Sequence, residues 1–211
     1  MQTLSQLWLF FLVVFAVVLL PGMDMAYVAG SSLAGGRRQG LLALSGIVAG
    51  GVFHVLAAAL GVGLLLQLVP GLFNAVLLAG AGYLGWIAWS LLRSRSAAAL
   101  QADAPALSPA AAVLRGALTS LLNPKAYLFM LAIFPQFIDP QRGPVWLQAL
   151  VLWLIIALTQ MAVYGPLALA AAGARQWLAQ RPSAGLMLNR GVGAVLLATA
   201  LWTAAAGWRA A

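Results

Sequence analysis

The chain has 211 residues, with no cysteine, no glutamate, one histidine, one lysine and three aspartates. Each shortage closes off a class of chemistry. Without cysteine there is no disulfide, no thiol relay, no iron–sulfur cluster and no thiolate-bound zinc. One histidine and three carboxylates are too few for an ordinary metal site, so neither metal nor cofactor is expected. Charged residues make up 7% of the chain and hydrophobic residues 64%, whereas soluble domains carry about 25% charged residues. Mean hydropathy is +1.01. Apolar runs of more than about 20 residues recur, long enough to cross a hydrocarbon core of ~30 Å as helix. The alternating pattern of a membrane barrel is missing. The composition therefore reads as an all-α, polytopic integral membrane protein whose surroundings are the lipid bilayer.

The net charge of +8 is no sign of a nucleic-acid partner. The arginines stand singly or in pairs at the ends of apolar runs, where they report orientation in a membrane. Residues 1–6 contain no Lys or Arg. They lack the basic start of a signal peptide, so the first apolar run is expected to stay as a helix.

Six spans are expected, at about 4–34, 41–68, 73–92, 110–137, 145–174 and 186–207, in one transmembrane domain covering 1–211. Turns fall at Gly35-Gly36-Arg37-Arg38, at Val69-Pro70-Gly71, at 139–144 and at 175–183. A polar linker rich in Ser, Ala and Pro, about 93–109, separates a first half (about 1–92) from a second (about 110–211). Three spans per half means that the halves insert with opposite orientation. Each half opens with a span interrupted by proline, at Pro21 and at Pro124. Interrupted helices at matching places in two inverted halves mark a transporter's binding site, and rocking of one half against the other would expose it alternately. Both breaks fall roughly 15–20 Å into their spans, near mid-membrane. One set of loops and span ends holds Arg37, Arg38, Arg93, Arg95, Arg115, Arg175, Arg181 and Arg190; the other holds Arg142 and Arg209. That bias puts the linker in the cytoplasm and both termini outside. Trp8, Trp146 and Trp208 near outer ends, and Trp89 and Trp177 near inner ends, form an interfacial belt.

The residues of interest gather at the two breaks. Pro124 cannot continue a helix, but it can start one at N1 with Asn123 as N-cap. Lys125, the only lysine, then lies in a first turn, where the helix dipole disfavours a cation; an anion at the break would account for it. Pro21-Gly22 precedes Asp24, the one acid inside an apolar span, and an intramembrane charge marks a functional site by default. Asp24 and Lys125 are natural partners. They form either a structural ion pair or the polar lining of a cavity where a substrate or proton competes. His54 lies on the face of Gly46 and Gly50, whose small-xxx-small spacing lets another backbone approach. It reads as a hydrogen-bonded core histidine or as a proton relay. Gln160 and Tyr164 share a helix face and either contact a solute or bridge helices. The glycine faces also offer surface for a homodimer.

Taken together these residues resemble a known family. Pro21-Gly22-Met23-Asp24 resembles the PGP-D motif of the bacterial lysine-exporter and homoserine/threonine-resistance family. The glycine-spaced second span ending in His54, Gly82-Tyr83-Leu84, and Asn123-Pro124-Lys125-Ala126 followed by Phe134-Pro135-Gln136-Phe137 resemble its other signatures. Met23 departs from the pattern, where a second proline is common. The resemblance implies a secondary exporter of amino acids or close derivatives in the bacterial inner membrane, driven by a proton or ion gradient. It carries over Asp24, Asn123, Pro124 and Lys125 as site residues. The chain has no phosphate loop, and no nucleophile accompanies Asp24 and Lys125, so an enzyme is not expected. The alternative is a non-transporting scaffold or partner subunit, with Asp24 and Lys125 as a structural pair.

The orientation is testable because the chain is free of cysteine. A cysteine at Gln141 is expected to react with an impermeant thiol reagent on intact cells, and one at Ser94 only after permeabilisation. The reverse pattern would overturn the topology.

Overall fold

The computed structural model describes residues 3–59 and 108–209, with scattered positions between 75 and 93. The end of the second expected span, much of the third and the polar linker lie outside the described residues. The described chain is helical, with no strand.

Helix α1 (Leu4–Leu19) starts at a capping box: Thr3 accepts from the Gln6 amide, and the Gln6 side chain accepts from the Thr3 amide. It stops before Pro21, and helix resumes as α2 (Met23–Ala59). Inside α2, Gly36 takes φ 76° and ψ −170°, a backbone state that side chains disfavour. The chain folds back there. Ser32 and Gly40, on either side of the turn, are in contact, so α2 is two limbs, 23–35 and 37–59. Helix α3 (Pro109–Leu121) is capped by Ser108 and α4 (Pro124–Ala132) by Asn123, each with proline at N1. Short 3₁₀ turns at Phe134–Phe137 and Pro140–Arg142 lead to α5 (Val145–Ala179), which runs through Pro166 unbroken. Helix α6 (Pro182–Arg209) follows at once. The expected loop at 175–183 is thus shorter than its composition implied, because both helices extend into it and leave only Gln180 and Arg181.

By length and composition three helical stretches can cross a membrane: Met23–Ala58, whose crossing limb after the Gly36 turn is 37–59, Val145–Arg175 and Ser183–Trp202. The pair Pro109–Leu121 and Pro124–Phe137, bent by 54°, makes a fourth if read as one span. The two ends of the bundle differ. At one, Arg175 approaches the Gly36 turn beside Arg37 and Arg38. At the other, Arg142 pairs with Asp139 at 2.8 Å and donates to Gln6 Oε1 at 3.1 Å.

Helix α2 packs against α3 and α5, and α1 packs against α5. Burying apolar surface drives little association inside lipid, so close packing and hydrogen bonds hold the helices together. Two devices stand out. Phe10 of α1 sits among Phe129, Phe134 and Phe137 at centroid distances of 5.8, 6.3 and 4.9 Å, which is the packing role of the Phe134-Pro135-Gln136-Phe137 stretch. A glycine seam joins α2 to α3. A Cβ on Gly46 would strike the Val113 carbonyl, one on Gly116 would strike the Ala43 carbonyl, and one on Gly50 would meet Ser120 Cβ at 2.7 Å. The small face read from the sequence is therefore used, with backbone against backbone.

Replacing Gly116 with valine should destabilise the protein by about 1–3 kcal/mol or more, as overpacking does. Gly30→Ala, where an added Cβ meets nothing within 4 Å, should be close to neutral. Thermal unfolding in detergent measures both, and equal effects would contradict the seam.

Candidate functional site

In an α-helix each carbonyl accepts from the amide four residues on. Proline has no N–H, so Pro21 leaves the Val17 carbonyl without its helical donor and Pro124 does the same to Ser120. A bare carbonyl at membrane depth is costly and must find another partner. The Leu20 amide donates to Val17 O at 3.2 Å, and further partners come from distant parts of the chain. Lys125 Nζ donates to Val17 O at 3.2 Å and to Leu20 O at 3.0 Å. The Tyr164 hydroxyl donates to Val18 O at 3.2 Å. His54 Nε2 donates to Ser120 O at 2.9 Å, and the Asn123 amide shares that carbonyl at 3.0 Å. The end of α1 is thus closed by side chains of α4 and α5, and the end of α3 by a side chain of α2.

Lys125 finds its place by this route. Its own helix start disfavours a cation, but its side chain leaves that helix and reaches the negative end of α1, where a cation is favourable. The two helix starts carry the other polar groups. Asn123 Oδ1 accepts from the Lys125 amide at 3.0 Å, which is the expected N-cap. Asp24 lies in the first turn of α2, at a positive helix end. Asp24 and Asn123 are both buried, and the Asn123 side chain stands beside the carboxyl, with Lys125 and His54 also near it. Yet Asp24 Oδ1 and Asn123 Nδ2 make no hydrogen bond.

Six of the expected site residues, Asp24, His54, Asn123, Lys125, Gln160 and Tyr164, line one cavity of about 60 Å³. That is room for a few water molecules at about 10–15 Å³ each. Pro124 is buried at the start of α4. Pro21 and Gly22 border a second, larger cavity on the other side of the break. The two sides meet at Gly22, where an added Cβ would lie 3.4 Å from Lys125 Nζ. Asp24 and Lys125 share the cavity without an ion pair; among the described residues the pair within 4.0 Å joins Asp139 and Arg142. Sequence reasoning missed Val17, Val18, Leu20 and Ser120, which act through their carbonyls. Val17 and Ser120 were findable, because each stands four residues before a proline.

Comparisons with known proteins show the family. The model of the LysE type translocator family matches residues 15–206. The chain belongs to that family. It is a transporter and not an enzyme. An uncharacterized membrane protein of Pseudomonas aeruginosa is 32% identical over 201 residues, 92% of each chain. One of Vibrio cholerae is 33% identical over 168 residues, 79% of this chain and 82% of its own. A protein of Klebsiella pneumoniae named leucine efflux protein is 39% identical over 128 residues, 58% of each chain. No solved structure matches. In this LysE-type chain Lys125, Tyr164 and His54 stand where backbone carbonyls at the two proline breaks need donors.

Removing one of those donors should be measurable. Tyr164→Phe deletes the hydroxyl bonded to Val18 O and strands a buried acceptor, a loss of about 1–3 kcal/mol. Thermal unfolding in detergent at unchanged helix content is the check, and an unchanged midpoint would contradict the capping role.

Proposed function

We propose that the protein is a secondary exporter of small zwitterionic amino acids in the bacterial inner membrane, and that Asp24, Asn123 and Lys125 form its binding site. The observation that carries this reading is the pair of unpartnered buried atoms in one cavity. Asp24 Oδ1 is an acceptor and Asn123 Nδ2 a donor, and neither has a hydrogen bond. Buried polar groups without partners are rare and need an explanation. An α-ammonium meets the carboxylate of Asp24. An α-carboxylate meets the amide of Asn123 and the ammonium of Lys125, at a helix start whose dipole favours anions. Family membership supports a translocator, and the leucine efflux proteins among the relatives support an amino-acid cargo.

In this reading Lys125 has two alternative partners, the α1 carbonyls and the substrate carboxylate. Binding draws it from one to the other and so loosens the end of α1. Asp24 takes either the substrate's ammonium or a coupling proton, which links efflux to a gradient. The spans form two inverted halves, each broken at its proline, with the arginine-rich end in the cytoplasm and both termini in the periplasm. The paired helix breaks and the different bundle ends support that arrangement. A scaffold held by an Asp24–Lys125 pair has less support, because Lys125 donates to the α1 carbonyls and no ion pair joins it to Asp24.

The test uses five proteins, the wild type, Asp24→Asn, Lys125→Met, Lys125→Arg and the double variant of the first two changes, reconstituted in liposomes and assayed for amino-acid efflux. Lys125→Met should abolish transport. It should also lower stability by about 1–3 kcal/mol, because Val17 and Leu20 lose a donor. Adding Asp24→Asn should restore neither. Lys125→Arg should also fail to transport, since a planar fork does not replace a compact ammonium. A double variant that transports normally would show that the two charges only neutralise each other, and would overturn the site.

A further inference from the structure

The polar cavity is too small for a whole amino acid, so a side chain must lie elsewhere. The second cavity, bordered by Pro21 and Gly22, is the space next to it. It has a volume of about 690 Å³, within the ~300–1,000 Å³ typical of ligand sites. It lies between the 23–35 limb of α2, the later part of α5 and residues 187–196 of α6. The described residues that line it are Gly, Ala, Val, Leu, Met and Pro, none of them charged or hydrogen-bonding through its side chain. Gly22 lines the second cavity, and a Cβ built on it would lie 3.4 Å from Lys125 Nζ, so it brings no side chain between that cavity and the ammonium.

Resting on the exporter reading, we propose that this cavity is the side-chain subsite and that it selects amino acids with uncharged, apolar side chains of about leucine or methionine size. A backbone held at Asp24, Asn123 and Lys125 directs its side chain past Gly22 into an apolar space. A lysine or glutamate side chain would there leave its charge unpaired, a large cost. Ala29, Gly30, Ala171 and Gly191 keep the walls back, and they set the size of side chain admitted. A Cβ built on Gly30 or Gly191 meets nothing within 4 Å, so larger residues at those two positions project into open space and not into packed neighbours.

The experiment is counterflow into proteoliposomes, which needs no imposed gradient, with labelled leucine, alanine and lysine. The wild type should carry leucine, and lysine on the order of tenfold or more slowly, as expected for an unpaired charge in an apolar site. Gly30→Leu and Gly191→Leu, made separately, should cut leucine counterflow by on the order of tenfold while alanine continues, a discrimination of the size that pocket volume achieves. Alanine transport also shows that each variant is folded. Lysine carried as fast as leucine by the wild type would overturn the subsite, and so would leucine carried undiminished by both filled variants; in both cases the exporter reading would stand. Failure of the wild type to carry any of the three would overturn the exporter reading and the subsite with it.

Discussion

A backbone carbonyl without a donor is hard to tolerate in a hydrocarbon layer, and the site of this protein is arranged around that constraint. Two prolines create the problem, one near the start of each half of the chain. Lys125, Tyr164 and His54 answer it. None belongs to the helix it caps, so each cap is also a tie between helices. The loss of two helical hydrogen bonds is thereby turned into a polar centre at which four helices, α1 to α4, present either an end or a beginning, with α5 alongside.

This explains why charge and amide are tolerated there. Two helix starts provide positive ends for Asp24 and for an anion near Asn123, and a helix end provides the negative pole that Lys125 needs. Partial charges of the backbone hold full charges of side chains without a direct ion pair. A pair would be self-sufficient. The open arrangement leaves Asp24 Oδ1 and Asn123 Nδ2 in need of partners, which in the proposed exporter the transported molecule supplies.

Much of this was legible in the chain before folding. Proline fixes where a helix can stop and start, so the start of α4 at Pro124 and the resumption of helix after Pro21 follow from local chemistry. The small-xxx-small face of Gly46 and Gly50 is a local pattern too, though its partner, Val113 to Ser120 of α3, is not. What the pattern could not supply was direction. Asp24 and Lys125 are the obvious pair in a list of charges. Only the fold shows that the lysine side chain has carbonyls of α1 within reach. His54 likewise reads as a titrating group in sequence, whereas in three dimensions it stands where the amide of residue 124 would have been. The second cavity was invisible for a related reason. Its lining is built from small apolar residues on three separate helices, and nothing in any one helix marks it.

Glycine appears in this protein both as contact and as clearance, and the Gly36 turn adds a third use. The 37–59 limb of α2 is fastened to α3 by touching backbones, which ties the first half of the chain to the second and resists prying them apart. The 23–35 limb is placed differently. It carries Asp24 at one end and is bounded by two joints, the non-helical Leu20-Pro21-Gly22 and the positive-φ Gly36. Between the joints it is held by the Tyr27 hydroxyl, which donates to Ala112 O of α3 at 3.1 Å, and by Ser32 against Gly40 of the other limb. Asp24 thus stands on a short helical limb, thirteen residues long, that is jointed at both ends and pinned to its neighbours in the middle.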